Sequence, residues 1–108
     1  MERGQRKRTV TIANGGTNST AFETAKCAQG TFQLPAAITG TDFTIEFSND
    51  GVTYTQVPTD GVEPNPIIGA SADETHKIPK ATFAARYGRI VAATAQGAAR
   101  SITILTSA

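Results

Sequence analysis

A single cysteine, Cys27, is all the chain has, so no internal disulfide can form. Small secreted domains are usually stapled by several bridges, and this scarcity predicts folding in a reducing compartment. There is one histidine, His76, and no tryptophan. One Cys and one His fall short of a structural zinc site, and no metal or cofactor is expected. Tyrosine occurs twice, which leaves little material for an aromatic sugar-stacking platform. No apolar run approaches the roughly 18 residues of a membrane span, so no membrane partner is expected. The first eight residues carry charge without an apolar stretch behind them, which is not the pattern of a secretory signal. Charged residues make up only 18% of the chain and apolar ones 39%.

Thr and Ala fill the gap, with 17 of each. Threonine recurs beside Val, Ile and Phe, at Thr9, Thr11, Thr44, Thr53, Thr55 and Thr103. Thr suits a half-buried strand and forms helix poorly, so this composition predicts β-structure. The alanine pairs 84–85, 92–93 and 98–99 sit beside Gly and Thr without heptad spacing and are not read as helix. At 108 residues one domain is expected, with a compact core.

The clearest local signal lies at residues 43–57. Apolar and polar residues alternate from Phe43 to Phe47, Asn49-Asp50-Gly51 marks a turn, and a β-rich run continues from Val52 to Val57. Alternation on both sides of Asp-Gly predicts a hairpin over 42–48 and 52–57. Further strands are predicted over 8–13 with Val10 and Ile12 inward, 19–27 around Phe22, 31–34, 76–78, 86–94 and 101–106. Pro79 opens a predicted helical turn over 80–85, and residues 58–75, rich in Pro and Gly, form a long connection that Ile67-Ile68 could pin. The first and last strands are expected to pair. About eight short strands at regular spacing predict an all-β, single-domain antiparallel β-sandwich over residues 9–108.

Residues 1–8 hold Arg3, Arg6, Lys7 and Arg8 against one acid, a net +3, whereas residues 9–108 carry −2. The segment reads as a flexible basic arm, and its four cations are the expected contacts to a partner. No aromatic residue is interleaved with them, which disfavours single-strand nucleic-acid binding there. Phosphate contact or docking on an acidic protein surface are the two functional readings, beside a simple solubilising tail.

Other candidate sites are weaker. A Cys27–His76 dyad has no motif behind it. Asn14-Gly15-Gly16 lacks the Lys-Ser/Thr of a phosphate loop and reads as a turn. Asn49-Asp50-Gly51 with Asp60 lacks the spacing of an EF-hand and reads as the hairpin turn. Asp73 and Glu74 are adjacent carboxylates in a loop, expected to be solvated. No nucleophile–base pair stands out, and the chain is not expected to be an enzyme.

Two segments carry a resemblance. Phe43-Thr-Ile-Glu-Phe-Ser-Asn-Asp-Gly51-Val-Thr-Tyr54 resembles the Ser-x-Asp-Gly hairpin of discoidin-like, galactose-binding-fold domains, and Ala85-Arg-Tyr87-Gly-Arg89-Ile90 resembles their later Ala-Arg-Tyr-x-Arg-Ile strand. Most of residues 9–106 is also similar to small virion proteins of tailed bacteriophages. The segments concerned are Thr9-Val-Thr-Ile-Ala-Asn14-Gly-Gly-Thr17, Gln33-Leu-Pro-Ala-Ala-Ile-Thr-Gly40, the hairpin, and Pro79 to Tyr87 with one extra residue. The chain lacks the disulfide and aromatic loop spikes of full discoidin-like domains. The resemblance implies a jelly-roll sandwich used as a building block. It implies a capsid decoration or cement protein on the surface of a phage head, folded in the host cytoplasm. Its partners would be the major capsid protein and further copies of itself around local symmetry axes, with loop 58–75 touching a neighbouring copy. The alternative it implies is a carbohydrate-binding module, or another structural part, of a tail or fibre.

Overall fold

The computed structural model describes residues 5–59 and 64–108. Among them eight strands form two four-stranded antiparallel sheets. The strands are β1 (Arg6–Ile12), β2 (Phe22–Glu23), β3 (Gln29–Gln33), β4 (Phe43–Ser48), β5 (Thr55–Gln56), β6 (Thr75–Lys77), β7 (Tyr87–Ala92) and β8 (Arg100–Ser107). A 3-10 helix, Lys80–Ala84, follows Pro79, whose carbonyl accepts the Thr82 N–H at 3.0 Å.

One sheet runs β1-β8-β3-β6 and the other β2-β7-β4-β5. The pairs β1·β8, β2·β7, β3·β6 and β4·β5 are those of one long antiparallel ribbon folded at its middle. Pairing of β3 with β8 and of β4 with β7 rolls that ribbon into two sheets. This is the eight-stranded jelly roll, the sandwich expected from the sequence.

Alternation decides which side chains meet between the sheets. β8 buries Ile102, Ile104 and Thr106 and turns Ser101, Thr103 and Leu105 out; β1 buries Val10 and Ile12. The facing sheet contributes Phe22, Phe43, Ile45, Ile90 and Ala92. Each such Ile or Phe, fully buried, contributes about 1.5–3 kcal/mol relative to exposure.

The core also explains two close approaches. A Cβ on Gly88 would lie 2.6 Å from the Phe22 ring, and one on Gly30 would lie 2.9 Å from the Leu105 carbonyl oxygen. Both glycines let a neighbour pack directly on the backbone.

Three expectations shift. The predicted second strand over 19–27 reduces to Phe22–Glu23, because Phe22 is its one large apolar residue. The second arm of the hairpin is Thr55–Gln56 rather than 52–57, and Val52 is 82% exposed. β1 begins at Arg6, two residues ahead of the predicted start, so Arg6, Lys7 and Arg8 belong to the sheet rather than to an arm.

The register sorts the loops to two ends. Loops 13–21, 34–42 and 93–99, with the described parts of 57–74, lie at one end. Loops 24–28, 49–54 and 78–86 share the other end with the start of β1 and the end of β8.

Candidate functional site: the terminal-strand sheet

Of the four cations expected to contact a partner, Arg3 lies outside the described residues. The other three are held by β1 opposite β8: Arg6 against Thr106, Lys7 against Leu105 and Arg8 against Ile104. Pairing with a core strand overrides the tendency of like charges to stay solvated, and an edge position lets their heads reach water. Arg8 points to the sandwich side, where Nη1 donates to the Glu23 carbonyl at 2.8 Å and bridges β1 to β2. Arg6 and Lys7 have no ion pair among the described residues.

Lys7 stands on the outer face of its sheet, at the edge of a regular grid. Across the sheet it is followed by Leu105, Thr31 and Lys77. The next row is Thr9, Thr103, Gln33 and Thr75, and beyond it Thr11 faces Ser101. Hydroxyls, the Gln33 amide and two lysines make up these rows with Leu105, and no carboxylate occurs in them. A shallow depression of about 310 Å³ runs over this face between Lys7, Thr31, Gln33, Thr75, Thr103 and Leu105. The arrangement can hydrogen-bond and attract an acidic surface, and it holds no group poised for bond-making chemistry.

The outer face of the second sheet differs. Glu46 and Arg89 form an ion pair, with Nη2 at 2.7 Å and Nε at 2.8 Å from Oε1, and the guanidinium lies 4.0 Å over the Tyr54 ring. The charges of Glu46 and Arg89 neutralise one another.

The weaker candidates are placed as follows. His76 stacks on Phe32 at 5.6 Å between centroids, its cross-strand partner, and Nε2 lies 3.0 Å from Glu74 Oε1. Cys27 sits half-buried in the β2–β3 loop and is not bonded to it. Glu74 also accepts the Ser71 N–H at 2.9 Å; that bond, then His76, holds its carboxyl below the usual range, the opposite of what a general acid needs. Gly15, at φ +80, shapes a turn whose N–H reaches the Gln96 carbonyl. Asp60 lies outside the described residues. No group of three metal-ligating side chains occurs among the described residues.

Asp50 is committed to its own loop. Oδ1 accepts the Val52 and Thr53 N–H groups at 2.8 and 2.9 Å and the Ser48 hydroxyl at 2.9 Å. These bonds, Thr53 first, bring its pKa down to about 2. A larger concavity of about 510 Å³ lies beside this loop, floored by Phe47, Ala84 and Ala85 and edged by Asn49, Thr53 and Thr55.

Two buried amides were not singled out from the sequence. Asn65 is 5% exposed and joins β4 to the long connection; Gln96 is 2% exposed and joins three loops at one end. Both lie in stretches rich in Gly, Pro or Ala that read as surface turns, and no local pattern marks them.

No family model matches the chain, and neither a curated protein nor a solved structure matches it.

Proposed function

We propose that this chain is a structural virion protein, a decoration or cement protein that attaches to the outside of a phage head and stabilises contacts between major capsid proteins. The observation that carries this reading is the outer face of the terminal-strand sheet: ordered rows of hydroxyls with Lys7 and Lys77 at its edges and no carboxylate within it. Such a face suits attachment to an acidic protein surface, and the phage-like segments of residues 9–106 supply the kind of partner. The fold contributes rigidity, since the first and last strands pair with each other in one sheet. Copies of the protein would meet around local symmetry axes, with loop 58–75 between neighbours. A ligand that binds only the assembled shell stabilises it in proportion to RT ln(1 + [L]/Kd).

The test adds the full chain to heads that lack it. Co-sedimentation should saturate, and the decorated heads should disassemble at a higher temperature. Heads that neither retain the protein nor gain resistance to heat would rule the reading out. Removing residues 1–8 is a poor test, because it takes Arg6, Lys7 and Arg8 out of β1 and unpairs Thr106. Removing residues 1–5 leaves β1 whole.

A second reading, a carbohydrate-binding module of a tail or fibre, draws on the concavity beside Asp50, which has an apolar floor and polar edges. Saturable, selective binding on a glycan array would favour it over head attachment.

A further inference from the structure

β1 is an edge strand, and its free edge is only partly closed. Thr11 donates its N–H to Thr20 Oγ1 at 3.1 Å and its carbonyl accepts the Thr20 N–H at 3.0 Å. Peptide groups on a strand point alternately to its two sides. Thr9 and Lys7, two and four residues back, therefore turn their N–H and C=O groups to the same edge as Thr11, while Arg8 and Val10 face β8. Among the described residues nothing bonds the edge-facing groups of Lys7 and Thr9. An open run of this kind is a template for another strand.

The side chains beside that edge state which strand it takes. Lys7 lies on the outer face, while Arg8 and, by alternation, Arg6 lie on the other. A strand added at about 4.8 Å from β1 would therefore meet cations on both of its faces. A basic segment would be repelled there and an acidic one drawn in.

We propose that the free edge of β1 at Lys7 and Thr9 receives an extended acidic segment of a partner protein by strand addition, with Arg6, Lys7 and Arg8 pairing its carboxylates. The inference rests on the reading above for the identity of that partner as a shell subunit. The competing account is that the cations only guard the edge against self-association.

Two variants of the full chain test it. Thr9→Pro removes the edge-facing N–H without touching the bonds to β8, a place where an edge strand tolerates proline. Lys7→Glu reverses one cation and keeps the backbone. The probe is a ten-residue peptide of alternating Thr and Glu, followed by amide NMR, with a Thr-Lys peptide as control. In the free protein the Lys7 and Thr9 amides should exchange fast and those of Arg8 and Val10 slowly. The acidic peptide should protect Lys7 and Thr9, and each variant should weaken its binding at least about tenfold, a change of about 1.4 kcal/mol. Protection of Lys7 and Thr9 in the free protein would overturn the inference. So would equal binding by Thr9→Pro and wild type, or a Lys7→Glu variant that self-associates yet binds the peptide unchanged. Heads separate the two claims. If wild type and Thr9→Pro decorate heads equally, the edge inference fails and attachment stands. If neither decorates heads, attachment fails and the peptide result alone decides the edge.

Discussion

The side-chain amide of Asn65 stands in for a backbone partner of Ile45. Its Oδ1 accepts the Ile45 N–H at 2.9 Å, and its Nδ2 donates to the Ile45 carbonyl at 3.0 Å and to the Val57 carbonyl at 2.6 Å. β5 covers β4 over Phe47 and Glu46, the Val57 N–H then reaches the Ile45 carbonyl at 3.0 Å, and the bridge between Phe43 and Ile67 follows, which leaves the Ile45 N–H to Asn65. Asn65 fills the space between, so the edge of β4 is closed along its length. Replacing it with Ala orphans the Ile45 N–H and the Val57 carbonyl, at about 1–3 kcal/mol for each buried group. Urea unfolding of Asn65→Ala should show a loss of roughly 2–5 kcal/mol with an unchanged m-value. A loss under about 1 kcal/mol would mean that water replaces the amide.

Gln96 does for one end of the sandwich what Asn65 does for an edge. Its Oε1 accepts the Thr39 N–H at 2.9 Å, and its Nε2 donates to the Thr39 and Thr94 carbonyls at 2.8 and 2.9 Å. Its backbone pairs with Gly15 and Gly16. Gln96→Glu keeps the shape, removes both donations and turns a carboxylate oxygen toward the Thr39 and Thr94 carbonyls, a cost that Arg100, whose Nε lies 3.3 Å from Oε1, offsets in part. It should cost about 2–4 kcal/mol, and amide exchange of Thr39 should rise more than that of Phe32 in the core. Uniform acceleration across both residues would show that Gln96 has no local role.

Gly88 sits under the Phe22 ring, and Thr82 Cγ2 would lie 3.1 Å from an added Cβ. Both neighbours are buried and cannot swing into solvent. Gly88→Ala should therefore destabilise the fold by about 1–3 kcal/mol through overpacking, although Ala is otherwise no worse than Gly in a strand. Phe22→Leu added to Gly88→Ala should recover part of that loss, a coupling that a double-mutant cycle reads directly.

The strands that could be read in the sequence are those with a buried stripe. Val10 and Ile12 in β1, Phe43 and Ile45 in β4, and Ile102 and Ile104 in β8 alternate with polar residues, and each falls inside its predicted run. The pairing of first and last strands also follows the expectation. β5 is shorter than the predicted run because Asp50 takes the N–H groups of Val52 and Thr53 into a turn, although both residues have the composition of a strand. Arg6, Lys7 and Arg8 lie in β1 rather than in an arm for a related reason. Three adjacent cations look like a tail, but their strand is decided by the Ile104–Thr106 partner opposite, which lies a hundred residues away in sequence. Asn65 and Gln96 act through tertiary hydrogen bonds, and nothing in their immediate neighbours reports this. Of the candidate site, the charges of Arg6, Lys7 and Arg8 are legible, and the threonine face is not, since its rows come from four strands in register.

The Asp50 turn makes a pH prediction whose sign is set by its hydrogen bonds. The N–H groups of Thr53 and Val52 and the Ser48 hydroxyl stabilise the carboxylate and lower its pKa from 3.8 to about 2. A group depressed on folding stabilises the native loop above its unfolded pKa, and that contribution fades as pH falls from about 4 toward 2. The Val52 and Thr53 amide proton shifts should therefore titrate with a midpoint near 2 rather than 3.8. In Asp50→Asn the neutral amide oxygen still accepts both N–H groups, and the same shifts should stay flat through this range. Glu74, whose carboxyl is also lowered, is untouched by the substitution, so the wild-type-minus-variant difference isolates Asp50. A wild-type midpoint close to 3.8 would mean that the turn is not held by the carboxylate in solution.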